Sequence, residues 1–318
     1  MRVIARKLAQ LVVVLLLVTF ISFLLMNLLP GDPVEVIVPF GSDQQRQTLR
    51  EDLNLDDPMM VRYWDWVTGL AHGDFGNYYT TSSSRPVSKD LREALPVSLQ
   101  LMAYAQLMAL AVAIPLGVAT AYRAGSRFDK ASNTAAFGML AMPNFAIALL
   151  LSYYLGVRLN LLPVTGYRPF GEDPVEHLRR MAMPALSLAV GQIAIYMRLL
   201  RSDMIATLQE DFITMAKAKG MRPRRILWRH ALRPSSLTLL TVAGLNVGTL
   251  IGGAVVTEVI FSLPGIGRLI YEAILSRQYV AVQSFIVVIG ASYVMLNFLV
   301  DLLYTVLDPR IRHVRAIA

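Results

Sequence analysis

Six apolar runs, each close to the length a helix needs to cross a bilayer, constrain this 318-residue chain more than any other feature. They cover residues 8–29, 97–122, 132–157, 181–197, 237–257 and 284–307, and the fourth, though short, can continue as a helix past Arg198. Hydrocarbon offers the backbone no hydrogen-bond partners, so such runs must satisfy themselves as helices. Composition agrees, with 55% hydrophobic and only 16% charged residues, where a soluble domain carries about a quarter charged. The expected fold is an all-α polytopic membrane protein with six transmembrane helices.

The first run follows a short basic start (Arg2, Arg6, Lys7) and is longer than the apolar region of a cleaved signal, without a small-x-small site. It reads as a retained anchor helix over 1–29. Residues 30–96 are polar, with turn signals at Pro30-Gly31-Asp32-Pro33 and Asp56-Asp57-Pro58, and an aromatic group of Tyr63, Trp64 and Trp66. They read as an extracytoplasmic subdomain of short helices, its aromatics structural and near headgroup level. Residues 97–307 form the membrane core, interrupted by a loop over 198–236, and 308–318 form a tail. If loops alternate from an inside start, inside segments hold 18 Lys and Arg and outside segments 12, of which 6 lie in the long first loop that the positive-inside rule discounts. Both termini are therefore expected in the cytoplasm. Gly244, Gly248 and Gly252, spaced by fours, are expected to share one helix face for packing or to line a pathway.

Several chemistries are disfavoured. The spanning cores carry essentially no ionisable residue, Glu258 and Asp301 falling near helix ends, which argues against a self-sufficient ion-coupled carrier. His72, His177, His230 and His313 fall in loops, and neither H-E-x-x-H nor G-x-S-x-G occurs. There is no cysteine, hence no disulfide and no thiolate metal site. None of the five lysines follows a glycine, so the chain has no P-loop with which to hydrolyse ATP. The net charge of +8 is distributed in short loops between apolar runs, which points to topology and headgroups rather than nucleic acid. The chain reads as a pore without its own engine.

The loop over 198–234 holds nine Lys and Arg. Within it, Glu210 and Asp211 at the start and Lys217 and Lys219 at the end match the dipole of a short helix that Gly220 can stop. Phe212, Ile213 and Ala216 give it a narrow apolar face, while Ala216, Ala218 and Gly220 are small enough to admit another surface. Pro223 suits the first turn of a second helix over 224–232. Two readings stay open on these residues, a docking surface and a basic amphipathic segment lying on the inner leaflet.

Asp211-Phe212-Ile213-Thr214-Met215-Ala216-Lys217-Ala218-Lys219-Gly220, followed by His230-Ala231-Leu232-Arg233, resembles the cytoplasmic "EAA" loop of ABC-importer permeases, and more narrowly of the dipeptide/oligopeptide/nickel branch. Leu28-Leu29-Pro30-Gly31-Asp32-Pro33, Gly73-Asp74-Phe75-Gly76 and Arg85-Pro86-Val87 resemble its N-terminal half. Its C-terminal half is matched by the run from Glu258-Val259-Ile260-Phe261-Ser262-Leu263-Pro264-Gly265-Ile266-Gly267 to Arg268-Leu269, by Val300-Asp301-Leu302-Leu303-Tyr304, and by Leu307-Asp308-Pro309-Arg310. The chain departs from the pattern at Thr214 (the triplet's acid), at Pro234 and Thr238 around a displaced proline, and at Gln278-Tyr279-Val280 where D-Y-P is frequent.

The resemblance implies a type I ABC-importer transmembrane domain, the first (B-type) permease of a bacterial inner-membrane importer. It would pair with a homologous second permease, two ATPase subunits and an extracytoplasmic binding protein. This chain would bind no cofactor, ATP and Mg belonging to the ATPase subunits, and it would catalyse no reaction itself. Its cargo would be di- or oligopeptides, with glutathione, nickel chelates and oligosaccharides as alternatives within the branch. An ATP-independent channel or carrier, and a membrane anchor or signalling partner, are the readings outside it. The resemblance implies docking on the ATPase by Glu210, Asp211, Phe212, Thr214, Met215, Ala216, Lys217, Ala218, Lys219 and Gly220, with His230 and Arg233. It implies an extracytoplasmic family motif at Glu258, Phe261, Pro264, Gly265 and Gly267.

Overall fold

The computed structural model describes residues 2–28, 31–80 and 83–307, with side chains over 12–28, 31–80 and 83–298. The tail 308–318, Leu29 and Pro30 of the first turn motif, and Asp308-Pro309-Arg310 lie outside the described residues, as do the side chains of Asp301 and Tyr304. The elements run α1 (Arg2–Asn27), α2 (Pro33–Ile37), α3 (Asp43–Asp52), α4 (Met59–Ala71), β1 (Asn77–Tyr79), β2 (Ser84–Pro86), α5 (Val87–Tyr122), α6 (Arg127–Ala141) and α7 (Asn144–Leu151). A π-helical turn (Ser152–Arg158) follows, then α8 (Pro174–Thr207), α9 (Asp211–Ala218), α10 (Pro223–Arg225), a second π turn (Ile226–Ala231), α11 (Leu232–Leu245), α12 (Val247–Ile260), α13 (Ile266–Leu275) and α14 (Tyr279–Leu307).

Three of these helices, α5, α8 and α14, are long and apolar enough to cross a membrane, and two bent pairs bring the number to five. The described part of α1, Val12–Asn27, is a shorter apolar helix. The third apolar run is not a straight span: α6 and α7 meet at 103°. Pro143 excludes the α conformation from the residue before it, and Met142 accordingly sits at φ −95°, ψ 127°. The fifth run is also broken, by 46° at Asn246, between α11 and α12.

The chain divides into two compact units. The first, Met1–Ser98 with Pro264–Met295, gathers the expected extracytoplasmic segment together with α1, α13 and the start of α14. Its short helices begin where local chemistry dictates. The Asp32 carboxylate accepts from Val34 N–H at 2.9 Å, and Ser42 and Gln45 form a reciprocal capping box. Tyr63 is buried, its hydroxyl 3.0 Å from Thr19 Oγ1 and its ring edge-on to Phe20 and Phe23, so the aromatic group fastens α4 to α1. Not everything here is helical. Asn77–Tyr79 and Ser84–Pro86 pair antiparallel, a departure from the all-α expectation. Gln278 explains it: its amide accepts from Tyr79 N–H (2.9 Å) and donates to Tyr79 C=O (2.6 Å), acting as a third strand would. Val87, Leu91 and Ala94 pack with Ile266, Ala273, Val282 and Phe285 to form this unit's larger core.

The second unit spans Leu99–Leu263 with Leu296–Ala318. Its axis is α8, whose apolar window is 67% buried, against 39% for α5 and 28% for α14. That helix is the least hydropathic of the three, as expected for one surrounded by protein rather than lipid. Close approach to it comes from small residues. Ala105, Ala109, Ala113, Gly117 and Ala121 follow one another by fours along α5 and are all buried, and a Cβ on Gly117 would lie 3.1 Å from Leu200. On α12 a Cβ on Gly253 would meet Leu188 Cδ2 at 2.8 Å and Asn144 Nδ2 at 3.2 Å.

Candidate functional site

The short helix expected in the basic loop is α9, with Glu210 preceding it and Gly220 closing it at φ 72°. Two of its side chains point inward. Ile213 and Ala216, three residues apart, are 0% and 4% exposed and join the core formed by Leu200, Met204, Ile226 and Ala231. Phe212 is 45% exposed, so the apolar face that seats the helix consists of Ile213 and Ala216 without it. The reason is angular: residues 212 and 213 lie 100° apart on a helix, and only one can face inward. Ala216, expected to admit another surface, is spent on the chain's own core and unavailable to one.

What remains outward is a compact, mixed surface. Asp211, Phe212, Thr214, Met215, Lys217, Ala218, Lys219 and Gly220 are all exposed, as are Glu210 and Arg233, while His230 is partly buried. Phe212 and Met215 (60% exposed) give it two large apolar side chains, three residues apart on one face. Trp228, 44% exposed, is a third exposed apolar group of the same loop. Around Gly220 the surface is open, with nothing within 4 Å of a Cβ placed there. Lys217, Lys219, Arg222, Arg224, Arg225, Arg229 and Arg233 form no ion pair among the described residues. Exposed cations on a solvated face cost little and stay available to a partner or to headgroups.

The second helix expected over 224–232 is not separate. Residues 223–245 run as one helix through the π turn Ile226–Ala231 and into α11. Pro234 has no N–H for the ladder and its ring crowds the carbonyl four residues back, and a widened turn immediately before it relieves that clash. The short helix α9 and the long helix after it are thus joined by Gly220, Met221 and Arg222 and then by continuous helix.

Two polar features behind this surface escaped the sequence reading. Arg201, near the end of α8, makes a forked ion pair with Asp129 on α6, with Nε–Oδ1 at 2.5 Å and Nη2–Oδ2 at 2.7 Å. The Asp129 side chain is 3% exposed and also accepts from Gly125 N–H and Asn133 Nδ2, both at 2.8 Å. Among the described residues Arg201 is the one cation of the nine in that loop held by an acid. The neighbouring Arg198 instead stands 4.0 Å over the Phe137 ring. Deeper, Gln192 donates to Thr249 Oγ1 (2.9 Å) and accepts from Asn246 Nδ2 (3.1 Å), while Tyr196 donates to Gln106 Oε1 (3.1 Å). These neutral groups lie at the break between α11 and α12.

The expected glycine row is corrected by that break. Gly244 lies on α11, and Gly248 and Gly252 lie on α12, so the three share no continuous face. Thr249 donates its hydroxyl to Asn246 C=O at 2.7 Å, taking an acceptor from the helical ladder where the chain bends. Of the expected C-terminal motif, Glu258 and Phe261 are buried in the second unit, at 0% and 1% exposure, and Leu263 N–H returns to Glu258 C=O at 2.9 Å. Pro264, Gly265 and Gly267 belong to the first unit, where Ser98 Oγ accepts from Ile266 N–H (2.9 Å) at the start of α13. Among the described residues no group of His, Cys, Asp and Glu is arranged to hold a metal ion.

Comparison with known proteins follows this geometry closely. Residues 113–313 match the family model of the binding-protein-dependent transport system inner membrane component, and residues 1–103 match that of the N-terminal part of such membrane components. The chain is 39% identical over 311 residues to a peptide transport system permease protein of Brucella abortus, covering 98% of each. It is 35% identical over 335 residues to the dipeptide transport system permease protein DppB of Escherichia coli K12, again covering 98% of each. Among solved structures, an inward-facing MetNI methionine ABC transporter matches with a TM-score of 0.55 at 14% identity, over 69% of this chain and 96% of that one, which is a likeness of fold. The chain belongs to the family of inner membrane components of binding-protein-dependent transport systems.

Proposed function

We propose that this protein is a permease subunit that carries peptides across the bacterial inner membrane, and that α9 is the element through which an external ATPase drives it. The observation carrying this reading is the division of labour on α9. Ile213 and Ala216 fix the helix to the core of the second unit, while Phe212, Met215, Ala218 and Gly220 are left bare beside it. A helix anchored on one side and apolar on the other is built to receive a push and pass it on. The names of the full-length relatives support peptides as the cargo.

In this reading six helices span the membrane, α1, α5, the bent pair α6–α7, α8, the bent pair α11–α12, and α14, with both termini in the cytoplasm. A homologous permease completes the pathway, two ATPase subunits bind ATP and Mg, and a binding protein delivers peptide from outside. Closure of the ATPases displaces α9, the continuous helix from Pro223 carries the displacement into α11, and the break at Asn246 provides a place where the span can flex. The neutral amides and hydroxyls at that break suit a cargo that carries both charges at once, because a fixed charge there would hold one end of a peptide and slow its release.

The test is uptake by proteoliposomes holding this chain with its partner permease and ATPases, supplied with the cognate binding protein and labelled di- and tripeptides. ATP-dependent accumulation is expected, together with its loss in Phe212→Asp while the subunits still fold. Accumulation without nucleotide, or full uptake by Phe212→Asp, would sink the proposal.

A further inference from the structure

The first unit encloses a cavity of about 60 Å³ that no part of the proposed drive uses. Two guanidinium groups, Arg62 and Arg277, line it, and none of its lining residues is Asp or Glu. Arg62 donates to Asn27 Oδ1 and lies 5.7 Å from the Phe23 ring centroid, but has no carboxylate within ion-pair distance among the described residues. Burial pulls its guanidinium below the ordinary value, with the charge of Asp57 opposing. Gln283 also lines the cavity. It is 2% exposed and offers an amide donor to the cavity. A ligand oxygen that accepts this N–H would satisfy it. The cavity also opens on the first turn of the 29-residue α14, through Tyr279 and Val280, where the helix dipole favours negative charge.

We propose that this cavity binds a carboxylate, namely the free α-carboxylate of a peptide, held by Arg62 and Arg277 with Gln283 donating to its neighbouring carbonyl or carboxylate oxygen. This assignment rests on the peptide reading above. Forked guanidinium donors match a planar carboxylate. The volume is several times the ~15 Å³ that one ordered water requires, enough for a carboxylate and the atoms next to it but not for a phosphodiester with its glycerol. The site would retain delivered peptides at the extracytoplasmic subdomain, apart from the pathway through the spans.

The test uses the full chain in phosphatidylcholine nanodiscs and equilibrium dialysis against radiolabelled alanyl-alanine. Saturable binding is expected, with alanyl-alaninamide about tenfold weaker for want of the charge-assisted bonds. Arg62→Gln and Gln283→Leu should each weaken the acid about tenfold and leave the amide unchanged, with Arg62→Lys retaining part of the affinity. A melting temperature matching wild type shows that the variants are folded. The proposal falls if alanyl-alanine does not saturate, if acid and amide bind alike, or if neither variant changes affinity. It falls equally if inorganic phosphate or added phosphatidylglycerol blocks the site while alanyl-alanine cannot compete, since the site is then a headgroup site. Peptide uptake that persists in the proteoliposome assay while dialysis fails overturns this inference alone, whereas absent uptake overturns the permease reading.

Discussion

Single positions in α9 separate the stability of the fold from the proposed coupling. Gly220 sits at φ 72° with open space around it, so a side chain there meets backbone strain and nothing else. Gly220→Ala is expected to cost about 1 kcal/mol, and Gly220→Asn less, because asparagine tolerates the left-handed region. Both should keep the chain folded in detergent, measured as melting temperature, and differ in uptake only through the added side chain. Ile213→Ala should behave in the opposite way. It removes a fully buried side chain from the core and is expected to cost about 3 kcal/mol, whereas Met215→Ala on the exposed face should stay within about 0.5 kcal/mol and abolish ATPase association. If Met215→Ala destabilised as much as Ile213→Ala, the two faces would have been assigned wrongly.

At the scale of elements, α6 and α8 are tied by Asp129 and Arg201. Asp129→Asn leaves a partly buried guanidinium without its acid and is expected to cost about 3 kcal/mol. Adding Arg201→Gln should restore part of that loss in a double-mutant cycle, and additive effects would show that the pair is not coupled. Such a tie holds the base of α8 against α6 while α9, two residues beyond the Leu208–Gln209 turn, presents its outer face. The break at Asn246 belongs to this scale too. Gln192→Leu removes a partner of both Asn246 and Thr249, of which Thr249 keeps its bond to Asn246 C=O, and is expected to cost about 1 kcal/mol, read as a lower melting temperature. How much of this was legible beforehand varies with the physics. The position of α9 and its closing glycine followed from charge order and a single residue type. The inward face did not, because Phe212 and Ile213 are equally apolar and only the packing against Leu200 and Ile226 chooses between them.

For the whole molecule, the topology is the testable quantity. Alkaline phosphatase fused after Asn54 should be active outside the cytoplasm and fused after Gly220 should be inactive, with the reverse pattern for a cytoplasmic reporter. Activity after Gly220 would overturn the proposed orientation and with it the docking role of α9. Phe137, Phe145, Leu149 and Val157, on α6, α7 and the π turn that follows, are all half exposed or more, an apolar surface suited to partners or lipid.

By itself the sequence determined the class, the count of apolar runs, the position of the short helix α9 and the lack of a P-loop, because each depends on residue type and spacing along the chain. The tertiary structure decided the rest. It broke two of the runs, at Pro143 and at Asn246, and it moved close packing from the expected glycine row to the Ala105–Ala109–Ala113–Gly117–Ala121 stripe and to Gly253. It also paired Asp129 with Arg201, 72 positions apart. Small residues at helical spacing occur in many places along an apolar chain, and only a neighbour such as Leu200 turns one set of them into an interface. Polar groups likewise acquire a role only when another segment supplies the missing donor or acceptor, and that partner is set by the fold rather than by anything local to the residue.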